Sequence, residues 1–233
     1  MSKDIWLHDL PRNTSSRFTF SAKASESLRP AWYADGQYLA FQQNNTIVRK
    51  AVGRGHALEP LVGWPGEQGV DFSPDGRYMA GVRLAVGAGY DFWIQPLEPP
   101  GAQARAYLHG PTSERSPAFS PSEDWLAYEI LDSAGTEVFV QSFQNSGLKY
   151  QVSTEGGQGA VWSRDAKELY FLSPDRQMMA ASVRNSVGKL EIGVPQGLFD
   201  ARTIPVSNRV VSGGAVSSPA IHLFVNWQAA LKP

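Results

Sequence analysis

The chain has four histidines, balanced numbers of acidic and basic residues, and no cysteine, and these set the chemistry it could carry. Without cysteine there is no thiolate nucleophile, no disulfide framework and no zinc–thiolate site. His8, His56, His109 and His222 lie far apart, none at metal-ligand spacing, and read as surface or loop residues. No GxxxxGK(S/T) phosphate cradle and no GxSxG elbow occur, and the glycines Gly87 and Gly89 lead into a strand pattern rather than a helix. Ser186 and Lys189 match S-x-x-K in letters only. That motif needs a helix to set the lysine beneath the serine, whereas here it joins the strand-like runs QMMAASV and KLEIG, so a hairpin loop is expected. Paired carboxylates remain as a route to catalysis, since glycoside hydrolysis works with two acids facing one another. The candidates would have to come from inner strands, where Asp71 is the acidic residue within the motif, and Glu129 stands after a second strand.

Stepping outward from these residues, four segments repeat: PAWYADGQYLAF, VDFSPDGRYMAG, PAFSPSEDWLAY and AVWSRDAKELYF. They align without a gap on Trp32, Phe72, Phe119 and Trp162, about 43 residues apart on average, a period that points to a repeat architecture. Each reads as strand, tight turn, strand. In SPDG, Pro74 presets the backbone, Asp75 can bond the chain two residues on and Gly76 accepts a positive φ. Asp35, Asp75 and Asp165 recur at this one place, so they are read as turn formers and not as catalysts.

A third strand follows each unit, as NTIVRKAV, DFWIQPL, EVFVQSF and QMMAASV, and a weaker fourth strand follows the third. Four short strands per repeat, joined by loops rich in Gly, Pro and Ser, describe an all-β β-propeller. The chain opens with DIWLHDL and SRFTF, which lack an inner pair, and closes with RVVSGG and AIHLFVNW, which lack an outer pair. The expectation is five four-stranded blades in a single domain over 1–233, with the last blade composite of N- and C-terminal strands. Trp6, Leu7 and Phe18 should then be largely buried.

The order D-(I/F)-W-(L/I)-x-x-L followed by P-A-(W/F)-S-P-D-G-R-Y-(L/M)-A resembles the TolB-like, WD-like β-propeller repeat family. EVFVQSF, then KYQVSTEGGQGAVWSRDAKELYFLSPD, VPQGLF and VNWQAALK, is similar in style to the propeller segments of bacterial Ser/Thr protein kinases. The resemblance covers nearly the whole chain and implies a protein-binding or sensing module. Relatives tend to have six or more blades, and the last unit here departs from their full turn motif.

A net charge of −1 offers no counterion-release drive, so no nucleic-acid partner is expected. No apolar run reaches the roughly 18 residues of a membrane helix, so no membrane insertion is expected. The chain reads as cytoplasmic as it stands, or periplasmic if cut from a longer protein. The expected function is a noncatalytic propeller binding a protein or peptide, without a cofactor; the alternative is a five-bladed propeller glycoside hydrolase. The candidate ligand-binding residues line the loops that enter the inner strands, at the channel mouth: Glu26, Glu67, Gln68, Glu114, Arg115 and Gln158. A small ion in the central channel would require Glu26, Glu67 and Glu114 to converge without neutralisation by Arg115.

Overall fold

A computed structural model describes residues 4–9, 12–20, 27–33, 36–43, 46–53, 57–61, 68–85, 89–99, 102–143, 147–186, 189–203 and 220–224. Among these, every regular element is a β-strand except a 3-10 turn at Ala201–Thr203. The strands form two compact units.

In the first unit, β1 (Asp4–Asp9) pairs antiparallel with β2 (Thr14–Arg17) and parallel with β20 (Ala220–Phe224). The two ends of the chain therefore share a sheet, as the strand count implied. Among the described residues this composite sheet has three strands rather than four, and RVVSGG lies outside them. The same unit holds a complete four-stranded sheet of β3 (Ser27–Trp32), β4 (Tyr38–Gln43), β5 (Thr46–Ala51) and β6 (Glu59–Pro60). Ile5 and Phe18 pack against Leu39, Phe41 and Val48, with Leu7 and Trp32 partly buried beside them. Phe18 is buried as expected, but Trp6 and Leu7 are only half-buried, and Ile5 is the β1 residue with no exposure at all. Alternation puts Trp6 on the face opposite Ile5, whereas Leu7 shares the Ile5 face and packs, partly buried, against the same cluster.

The second unit contains three sheets. The first runs β7 (Gln68–Phe72), β8 (Tyr78–Ala85), β9 (Gly89–Pro96), β10 (Arg105–Leu108). The next runs β11 (Ser113–Phe119), β12 (Trp125–Asp132), β13 (Gly135–Ser142), β14 (Lys149–Gln151). The last is built from β15 (Gln158–Trp162), β16 (Glu168–Leu172) and β17 (Gln177–Ser186), with its outer place filled by β18 (Lys189–Ile192) and β19 (Gln196–Asp200) in turn. Ser186 stands opposite Lys189 in the β17–β18 hairpin, which disposes of the S-x-x-K reading.

The core of this unit lies between sheets. Trp125, Ala127 and Val140 meet Trp162, Leu169 and Phe171 on one side of the middle sheet, and Leu126 and Phe119 meet Ala80, Phe92 and Ile94 on the other. With neighbours on both faces, all six residues from Trp125 to Ile130 are buried, so the β12 run WLAYEI loses the alternation of a half-exposed strand.

The repeated turn is held by a serine that directly follows the aromatic anchor. Ser73 Oγ donates to Asp75 Oδ1 at 2.5 Å and accepts the Tyr78 N–H at 2.9 Å, while Asp75 Oδ1 accepts the Arg77 N–H at 2.9 Å. Ser163 and Asp165 repeat the arrangement with Lys167 and Glu168. The position taken by Gly76, at φ 73°, is occupied by Glu123 at φ 64° and Ala166 at φ 58° in the next two units. The turn geometry thus outlasts its preferred residue. The aspartates named above at 75 and 165 are turn formers.

Candidate functional site

Among the described residues, the inner strands β3, β7, β11 and β15 each carry a β-bulge at one register. The ladder shifts between Leu28 and Ala31, between Gln68 and Asp71, between Arg115 and Ala118, and between Gln158 and Val161. Each bulge therefore spans the stretch from four residues to one residue before the anchor. The third residue before the anchor has a positive φ in two of them, Ser116 at 50° and Gly159 at 69°. A bulge re-aims the residues around it and interrupts pairing, which is how a sheet edge is opened to a function.

The candidate residues divide at this bulge. Glu26 and Glu67 lie outside the described residues, and Gln68 is described in its backbone, paired with Val82. Glu114 is only 4% exposed. Its Oε1 accepts from Thr112 Oγ1 at 2.6 Å, and its Oε2 is buried with no hydrogen-bond partner among the described residues. Burial pushes the Glu114 carboxyl above its usual range; the Thr112 hydrogen bond and Lys149 work against this, and Asp91 adds to it. Arg115 and Gln158 are exposed and stand on neighbouring inner strands.

Asp71 and Glu129 each reach into the next sheet. Asp71 Oδ2 accepts the Phe119 backbone N–H at 2.7 Å, from β7 to β11. Glu129 Oε1 accepts the Gly159 backbone N–H at 2.6 Å, from β12 to the bulge of β15. Trp162 adds a third link, its indole Nε1 donating to Ala118 O at 3.1 Å. Burial pushes the partly buried Asp71 carboxyl up to about 6 despite hydrogen bonds from the Phe119 and Phe72 amides. A raised carboxyl is what a general acid needs, but here the hydrogen-bonded oxygen serves the backbone of the adjoining sheet. Among the described residues, no group of three His, Cys, Asp or Glu side chains could hold a metal ion, and no helix is long and apolar enough to cross a membrane.

Two features escaped the sequence reading. The bulges leave no letter in the repeat, because Ser116 and Gly159 occupy one position with unlike residues. The serine after the anchor did leave a signal: Ser73, Ser120 and Ser163 recur there and are all buried.

No protein-family profile matches the chain, and no curated protein sequence matches it. Solved structures do. The putative TolB of Agrobacterium tumefaciens matches with a TM-score of 0.65 at 16% identity, over 75% of this chain and 64% of that one. A chain of the nidogen/laminin complex gives 0.60 at 11% identity, over 79% and 72%. The β-propeller domain of Swd1 from Myceliophteria thermophila gives 0.56 at 11% identity, over 81% and 64%. This chain thus spans somewhat less than two thirds of the TolB and Swd1 chains. Identities this low speak to architecture and not to activity. The chain has the fold of the TolB-like and WD-like β-propellers.

Proposed function

We propose that this chain is a noncatalytic β-propeller module, a single domain over 1–233, that binds a protein or peptide through residues displayed on its inner strands. The carrying observation is how its candidate acids are used. Asp71 and Glu129 are both engaged as acceptors for backbone N–H groups of the next sheet. A catalytic carboxylate has to present its oxygens to substrate and water. What β11 and β15 do expose at their bulges is a set of polar residues, Arg115, Ser116 and Gln158, carried on a sheet framework, which is the usual arrangement of a binding scaffold. Support of a general kind comes from the nidogen/laminin complex, a protein–protein assembly in which a chain of similar fold takes part.

Incubation with a panel of glycosides, esters and peptides tests the reading. The expected result is no turnover. Clear turnover that is abolished by Asp71→Ala would overturn it and establish the hydrolase instead.

A further inference from the structure

Arg115 stands out among the cations of the second unit by what surrounds it. At its place, four residues before the anchor, the inner strands carry Leu28, Gln68, Arg115 and Gln158, so the repeat itself does not require a charge there. Its guanidinium is held at two points. Nε lies 3.4 Å from Ser113 Oγ, which also accepts the Tyr90 N–H at 3.2 Å, and Cζ stands 5.7 Å from the centroid of the Tyr90 ring. These contacts leave the edge formed by the two Nη atoms facing no carboxylate among the described residues. The cations of the repeated turns are placed otherwise: Arg77 pairs with Asp75 and Lys167 with Asp165.

Two acids that adjoin Arg115 among the described residues are committed elsewhere. Glu114 is buried and bonded to Thr112, and Glu129, opposite Arg115 in the β11–β12 ladder, is 7% exposed and bonded to Gly159. The Glu129–Gly159 bond has a second effect. It fixes the bulge of β15 against this part of the β11–β12 pair, so that the exposed Gln158 shares the neighbourhood of Arg115.

A guanidinium presents parallel N–H donors whose spacing matches the two oxygens of a carboxylate, and one already oriented by a ring and a hydroxyl loses less side-chain freedom on binding. We propose that Arg115 is the anchor for an acidic peptide segment of the partner, an Asp or Glu side chain seating on its Nη edge with the Gln158 amide as a neutral donor alongside. This rests on the binding-module reading and names the chemistry of its partner.

The test uses the full chain, labelled with nitrogen-15, and two probes: acetyl-Glu-Glu-Glu-amide and its neutral counterpart acetyl-Gln-Gln-Gln-amide. At low ionic strength the acidic probe should shift the Arg115 Nε–Hε and Gly159 amide signals saturably, and added salt should weaken the effect. Arg115→Gln should reduce affinity about fivefold or more, with Arg115→Lys in between because it keeps the charge and loses the fork. Equal response to both probes, shifts confined to other residues, or unchanged affinity in Arg115→Gln would each overturn the proposal. The wild-type shift map decides the matter even if a variant folds poorly. The enzyme panel separates this proposal from the underlying reading: turnover sinks the binding module itself, whereas a module that prefers neutral sequences sinks only the Arg115 assignment.

Discussion

Asp71 and Asp75 are four residues apart and their carboxyls move in opposite directions. Burial also opposes the Asp75 charge, but hydrogen bonds from the Ser73 hydroxyl, the Arg77 N–H and the Arg77 guanidinium outweigh it and hold the group at about 2. Asp71 gains only backbone amides against its burial and rises to about 6. For Asp71 the folded state therefore binds the proton more tightly than the unfolded chain, so its contribution to stability is fully present below about 4 and is lost as pH rises through about 6. A shift of that size is on the order of 3 kcal/mol. Asp71→Asn keeps an oxygen for the Phe119 N–H and removes the buried charge. Its denaturant midpoint at pH 7 should equal or exceed that of the parent, and the decline of the parent between pH 4 and 6 should flatten. A variant that shows the same decline would mean that another group titrates there. The role of Asp75 was legible in the SPDG letters, because its partners are local. That of Asp71 was not, because its partner lies 48 residues away.

At the level of elements, the strands and the aromatic anchors could be read directly, since apolar runs and turn residues are encoded locally. The bulges could not. They arise in the pairing of each inner strand with the second strand of its own sheet, and in the β15 bulge an acceptor comes from the neighbouring sheet. Glu129 shows what such an acceptor contributes: it satisfies the Gly159 N–H, at a residue with positive φ, from a side chain that is itself buried. Glu129→Ala removes a hydrogen bond to a charged acceptor and should cost about 1–3 kcal/mol. In a chain of this size that corresponds to a melting point lower by roughly 2–10 °C, measurable by circular dichroism. Glu129→Gln, which keeps an acceptor oxygen, should recover most of the loss. If Glu129→Ala melts at or above the parent, the carboxylate is not a structural link, and a functional acid held at a cost to stability becomes the better account.

For the molecule as a whole, the four repeats and the sharing of a sheet by both chain ends were legible in the strand count, because an outer pair without inner partners has to find them elsewhere. The strand number and direction in that composite sheet were not, since the last unit departs from the repeat. Residues 1–20 supply β1, β2 and the buried Ile5 and Phe18 that cover Leu39, Phe41 and Val48. Each large apolar side chain uncovered loses about 1.5–3 kcal/mol, against a typical total stability of roughly 5–15 kcal/mol. Deletion of 1–20 should therefore unfold or aggregate the protein; a truncated chain that stays monomeric with the parent's cooperative melt would show that the ends do not stabilise one another. The central claim, that this framework exists to hold a peptide or protein, is tested most directly by probing an immobilised array of diverse peptides with the folded chain. The account predicts capture of a restricted set of sequences, lost when the chain is heat-unfolded. Capture of none, or equal capture by the unfolded chain, would contradict it.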